Sequence, residues 1–227
     1  YINSKLKIFE NQKKYQYSIV NKKFKPKFKK NKYLGKLITP NFNQYKKIKA
    51  KIKNPYLKLD INNENMCYVF ELSKLLKIKE KSFVHSLNTF IGLPHRYEIF
   101  LKKKNCVFIN DSKATSFQST KFALKNTRNI YWIVGGLPKK NDLINLKNLQ
   151  KNIIKTYIIG KHTNFFKKKL KNKVKYEVVR NLKTSVFKII KDIKTLKTNN
   201  NNILLSPSSA SFDQYLNFEK RGEEFKK

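Results

Sequence analysis

Residues 108–120 read FINDSKATSFQST, so the apolar run CVFI (106–109) gives way at once to Asn110, Asp111, Ser112, Lys113 and Thr115. A buried strand that ends in carboxylate, ammonium and hydroxyl groups and is followed by a helix is how open α/β sheets present ligand sites. Three more clusters mix glycine, cations and hydroxyls: GLPHRYE (92–98), GGLPK (135–139) and LSPSSASFDQYLNFEKRGEEF (205–225). Singly each has an ordinary reading, as a turn, a surface pair or a capping loop. Three of the four clusters, however, follow the apolar runs CVFI, IYWIV and NILLS. If these are parallel strands, their carboxyl ends share one edge of a sheet, and one edge makes one pocket.

The elements that would position these residues are legible from about residue 105 onward. The runs CVFI, IYWIV, TYIIG, KYEVV and NILLS alternate with stretches of helical period. In 142–155, Leu143, Leu146, Ile153 and Ile154 fall near one helical face, and in 181–196 Leu182, Val186, Ile189, Ile190 and Ile193 do the same. Strand-helix-strand units of this length predict an α/β, Rossmann-like, mostly parallel sheet with helices on both faces. Upstream, ENMCYVFELSKLLKI and EKSFVHSLNTF read as two amphipathic helices, and Gly92 and Pro94 mark a boundary. Two domains are expected, 1–93 and 94–227. Residues 10–58 are lysine-rich with little period, compatible with short strands of the earlier domain.

The charge of +38 suggests nucleic acid, yet only four of the 52 basic residues are arginines, the residue best suited to bidentate phosphate and base contacts. Lysine and asparagine recur in every part of the chain, so solvated lysine faces are the preferred reading and a lysine-rich nucleic-acid-binding module the alternative. Cys67 and Cys106 lie in apolar surroundings without metal-ligand spacing and read as small buried hydrophobes. No apolar run approaches the roughly 18 residues of a membrane span. A cytoplasmic monomer with no membrane contact is expected. Opening at Tyr1, the chain is read as a piece of a longer protein.

Taken together and in order, GLPHRYE, INDSKATSFQST and SPSSASFDQYLNFEKRGEEF resemble the carboxyl-terminal part of the Mur ligases, with the likeness running from about Asn54 to the end. Within that family the likeness is greatest to the members that add D-glutamate. YINSKLKIFENQ resembles the family segment whose lysine becomes carbamylated to hold magnesium, here Lys5. The resemblance implies ATP-dependent amide synthesis for peptidoglycan precursors. ATP would phosphorylate the carboxylate of UDP-N-acetylmuramoyl-L-alanine, and the amine of D-glutamate would attack the acyl phosphate. Residues 1–93 would then be the end of the central ATP-binding domain, and 94–227 the D-glutamate-binding domain.

The same resemblance implies the site residues. D-glutamate carries two carboxylates, so its pocket needs cations and hydroxyl donors at separated points. Lys139 and Lys113 would supply the cations, Ser211 and Thr115 the hydroxyls, and Phe218 a wall for the aliphatic stem. Asp111 would accept from the ribose of ATP, with Arg96 and Asn65 also on the nucleotide side. The sequence departs from the family at Leu59–Asn65, where a G-x-H-N-x-x-N stretch keeps its asparagines but loses glycine and histidine. It also lacks a G-x-x-x-x-G-K-[ST] phosphate loop within these residues.

Overall fold

A computed structural model describes residues 2–140 and 142–227, which divide into one unit running to Ile91 and a second from Gly92 to Lys227. The first unit contains α1 (Ile2–Leu6), β1 (Tyr17–Ile19), α2 (Lys25–Lys30), β2 (Lys36–Ile38), α3 (Phe42–Lys51), α4 (Pro55–Lys58), α5 (Asn63–Leu75) and α6 (Glu80–Thr89). β1 and β2 pair in parallel. Apolar residues three and four apart on the helices meet in a core of Tyr45, Ile48, Ile52, Met66, Cys67, Phe83 and Leu87. The unplaced stretch 10–58 therefore holds two three-residue strands and short capped helices, too brief to impose a period. Asn41 and Asn54 cap α3 and α4 by accepting from Asn43 and Leu57 amides.

The second unit runs β3 (Glu98–Lys103), β4 (Cys106–Asn110), α7 (Phe117–Asn126), β5 (Ile130–Gly135), β6 (Ile153–Ile159), α8 (Thr163–Leu170), β7 (Tyr176–Val178), α9 (Leu182–Leu196), β8 (Asn201–Leu205) and α10 (Phe218–Lys226). Its sheet has the order β3-β4-β8-β5-β6-β7, antiparallel only at β3–β4. β5, IYWIVG, is buried along its whole length, as a parallel strand covered on both faces must be. One face packs Ala123, Leu124, Phe166 and Leu170 of α7 and α8 against Trp132, Val134 and Ile158. The other packs Leu182, Ile189, Ile193 and Phe225 of α9 and α10 against Tyr131, Ile133 and Ile203. The α/β class, the mostly parallel sheet and helices on both faces are thus as expected.

One expectation needs correction, and one strand carries no signal in the sequence. Residues 142–155 do not form a helix: the segment is irregular to a 3₁₀ turn at Gln150–Asn152, and Ile153 and Ile154 open β6. Its spacing of apolar residues serves a different purpose, since Ile144, Leu146 and Leu149 plug the core beside α7 while Leu143 is exposed. Asp142 also turns inward, accepting from the Phe117 amide with its carboxylate. Strand β3 is not marked by the sequence, because EIFLKK ends in lysines at an exposed edge, where alternation carries little burial.

β8 returns through α9 to lie between β4 and β5, in register Asn110↔Leu205↔Ile133. This insertion makes three parallel strands end side by side. Trp132, fully buried, donates from Nε1 to the Ser206 carbonyl at 2.8 Å and so anchors the chain where it leaves β8. Trp132→Phe removes that donor and opens a small cavity. We expect a loss of about 2–3 kcal/mol in urea unfolding followed by circular dichroism; a loss below about 0.5 kcal/mol would show that the anchor is unimportant.

Candidate functional site at the carboxyl edge of the sheet

The last residue of β4, Asn110, is fully buried, and its side-chain amide lies 3.0 Å from His95 Nδ1 and donates to the Gly222 carbonyl at 3.1 Å. It thereby ties the segment 92–97 and α10 to the strand end. Two residues of that segment, His95 (φ 62°) and Tyr97 (φ 48°), hold left-handed backbone, a costly conformation for side-chain-bearing residues. The Lys113 amide donates to the His95 carbonyl at 3.0 Å, and the Tyr97 amide donates to Asp111 Oδ1 at 3.1 Å.

Asp111 is the next residue, and Ser206 Oγ donates to its Oδ2 at 2.7 Å. Burial pushes this carboxyl up to about 7, against the opposing pull of the Ser206 and Tyr97 hydrogen bonds and of the Arg96 charge. Each carboxylate oxygen still has a second lone pair, so Asp111 keeps capacity for a ligand hydroxyl. Arg96 itself is exposed.

Lys113 lies with Nζ 3.6 Å from the centre of the Phe218 ring, a cation–π contact that joins the β4 loop to the start of α10. Between them runs a buried seam. Ser112 Oγ donates to the Phe218 carbonyl at 2.8 Å and accepts from Arg221 Nε at 3.0 Å; Arg221 Nη2 donates to the carbonyls of Ser112 (2.9 Å) and Ser209 (3.0 Å). Arg221 is 1% exposed, and its Nη1 has no hydrogen-bond partner. Ser211 Oγ, also buried, has none either.

The Gly135-Gly136 turn lies against this seam. Both glycines have left-handed φ (136° and 131°), and a Cβ at Gly136 would clash with the Ala210 carbonyl and Ser209 Oγ and press on Arg221 Nη1. Leu137 bridges Ala210, so the loops after β5 and β8 are held together. Lys139 follows, exposed; Thr115 is half-buried beside Lys113. The structure thus brings Asp111, Lys113, Thr115, Ser211 and Phe218 to adjacent strand ends, with Lys139 on the loop that continues from β5.

Lys5 and Asn65 belong to the first unit, on α1 and α5, both exposed; Lys5 lines a cavity of about 270 Å³ with Leu6, Phe9, Val20 and Tyr68. Among the described residues no group of three or more His, Cys, Asp or Glu could hold a metal ion. No helix among the described residues is long and apolar enough to cross a membrane. Arg221 is the residue that sequence reasoning missed. Its signal was present, one of four arginines in a chain that otherwise uses lysine.

No family model matches the chain. Among curated proteins it is 39% identical over 169 residues to the UDP-N-acetylmuramoylalanine–D-glutamate ligase of Wolbachia sp. subsp. Brugia malayi, covering 74% of this chain and 34% of that protein. The ligases of the same name from Rickettsia felis and Rhizobium meliloti are 36% and 37% identical over 166 and 164 residues, or 73% and 72% of this chain. Over the matched residues, the chain belongs to the Mur ligase family. It spans about a third of the length of the relatives it matches.

The raised Asp111 carboxyl makes a stability prediction. The folded state holds this proton above the ordinary range of 3.8, so the stabilisation is complete below that value and is lost as pH rises to about 7. Thermal melts should therefore show the wild-type chain losing stability between about pH 4 and 7 and Asp111→Asn losing distinctly less. Equal slopes for the two would mean that Asp111 ionises in the ordinary range.

Proposed function

We propose that this chain supplies the D-glutamate-binding domain, with the end of the ATP-binding domain before it, of an ADP-forming ligase that joins D-glutamate to UDP-N-acetylmuramoyl-L-alanine. The observation that carries the reading is the pair of buried polar atoms without partners, Ser211 Oγ and Arg221 Nη1, the latter beside Gly136, at a sheet edge whose loops also carry Lys113 and Thr115 and meet Phe218. Hydroxyls, cations and an apolar wall are what a flexible dicarboxylate needs. The names of the relatives support the same substrates.

In this reading Ser211, Thr115, Lys113 and Lys139 hold the two carboxylates of D-glutamate, and Phe218 flanks its methylenes. Such anchoring directs the amine at the acyl phosphate, and the surrounding cations disfavour its ammonium form, leaving the lone pair available for attack. Asp111 and Arg96, with Asn65 from the first unit, serve the nucleotide. ATP supplies the phosphoryl group that activates the acceptor carboxylate; its triphosphate needs a cradle from outside these residues, because they contain no phosphate loop. Lys5, as a carbamate, is the residue proposed to face magnesium. The alternative of a nucleic-acid surface has no specific observation in its favour, the lysines being spread over exposed faces of both units.

Because Lys139 is exposed, its contribution is smaller than that of a buried charge pair. Calorimetry of D-glutamate against the chain should show Lys139→Ala weakening binding about tenfold, equivalent to about 1.4 kcal/mol, with L-glutamate bound more weakly than D-glutamate by the unaltered chain. Affinity within twofold of the parent would exclude Lys139 as a ligand, and no preference for the D isomer would remove the substrate assignment.

A further inference from the structure

Behind the carboxyl edge lies a buried line of hydroxyls to which the ligase reading gives no task. Thr120, on α7, is fully buried, and its Oγ1 lies 2.9 Å from Ser206 Oγ, 2.9 Å from Ser208 Oγ and 3.4 Å from the Ser206 carbonyl. Ser206 Oγ reaches Asp111 Oδ2 at 2.7 Å. Ser208, 2% exposed, sits in left-handed backbone (φ 58°), an unfavourable conformation for serine that fixes its hydroxyl on Thr120.

Counting protons shows what this line can do. Ser206 has one hydroxyl hydrogen and two acceptors within reach, Asp111 Oδ2 and Thr120 Oγ1, so it satisfies one at a time. With Asp111 ionised, Ser208 donates to Thr120, Thr120 to Ser206 and Ser206 to the carboxylate. With Asp111 protonated, the carboxyl donates to Ser206, Ser206 to Thr120, and Thr120 turns its hydrogen to the Ser206 carbonyl. The heavy atoms are the same in both arrangements, and only hydroxyl hydrogens move. A chain in which each bond polarises the next transmits charge at one end to the other.

We propose that Thr120 is a positioning residue that relays the charge state of Asp111 to the 206–211 loop, coupling the nucleotide side of the edge to the dicarboxylate side. The names of the two sides rest on the ligase reading; the relay does not. The groups that act on Asp111 from the elements around it are Arg96 and Tyr97 on the segment before β3 and Ser206 after β8, while Lys113 is engaged with Phe218. Both arrangements are populated near neutrality, since burial holds Asp111 at about 7. A nucleotide hydroxyl donating to Asp111 would favour the ionised arrangement and so set the loop before the second substrate arrives.

The test is a carbon-detected NMR titration of the Asp111 carboxyl in the 227-residue chain, alongside the amide shifts of Ser208, Ser209 and Ser211. In the parent, those amides should titrate with the Asp111 midpoint. Thr120→Val, which keeps the shape and removes the hydroxyl, should abolish the co-titration and raise the Asp111 midpoint by about 0.5 or more, because the ionised form loses polarised support; Thr120→Ser should restore both. Loop amides that ignore Asp111 in the parent, or a valine variant that titrates as the parent does, would overturn the relay, as would a serine variant that fails to restore it. If the valine variant does not fold, Ser208→Ala cuts the line at its far end, and an unchanged Asp111 midpoint there also overturns it. Neither ATP nor D-glutamate is present, so failure of the ligand assignments and failure of the relay are separately visible.

Discussion

The guanidinium of Arg221 is buried with no carboxylate within ion-pairing distance among the described residues, and the carboxyl edge of the sheet is arranged around it. Desolvation lowers it to about 10, with the more distant Asp213 charge pulling the other way. A charge held so deep must be met by dipoles, and here these are the carbonyls of Ser112 and Ser209 and the hydroxyl of Ser112. Ser112 lies on the loop after β4 and Ser209 on the loop after β8. One side chain on α10 therefore fixes both loops. The cost of burying it is offset only if these acceptors stay in place, which makes the loops rigid.

The other features of the edge follow from that constraint. Gly136 has to lack a side chain because Ser209, Ala210 and Arg221 occupy the space a Cβ would take. The Phe218 carbonyl is held by Ser112, so the Phe218 ring stands where Lys113 can lie over it. Asn110 closes the opposite side by joining His95 and Gly222 to β4. The edge is thus a preorganised surface whose polar groups need little rearrangement on binding a charged ligand.

How much of this was legible depends on where the determining interaction lies in the sequence. β4, β5, β8, α5, α6 and α9 were visible because their burial imposes a period of their own. The 142–155 segment misled because Ile144, Leu146 and Leu149 are spaced by what they plug, with Asp142 bound to the Phe117 amide 25 residues away, and not by a helix. Asp111, Lys113, Thr115, Ser211 and Phe218 could be nominated from strand ends and motif resemblance. Arg221 could not be weighed that way, since its partners lie 109 and 12 residues distant and nothing local marks it as buried. The line through Thr120 is hidden for the same reason, joining α7 to residues 86 and 88 positions further on. Legibility here stops at contacts that only tertiary packing creates.

In the ligase reading, one rigid edge carries two adjacent subsites with different chemistry. Amide shift mapping of the labelled chain at millimolar ligand tests it most directly. D-glutamate should move Gly136, Ser211 and Phe218, whereas an adenosine nucleotide should move Arg96, Tyr97 and Asp111, each set responding to its own ligand. Shifts from both ligands at the same residues, or shifts confined to the exposed lysine faces and lost at higher salt, would contradict the account.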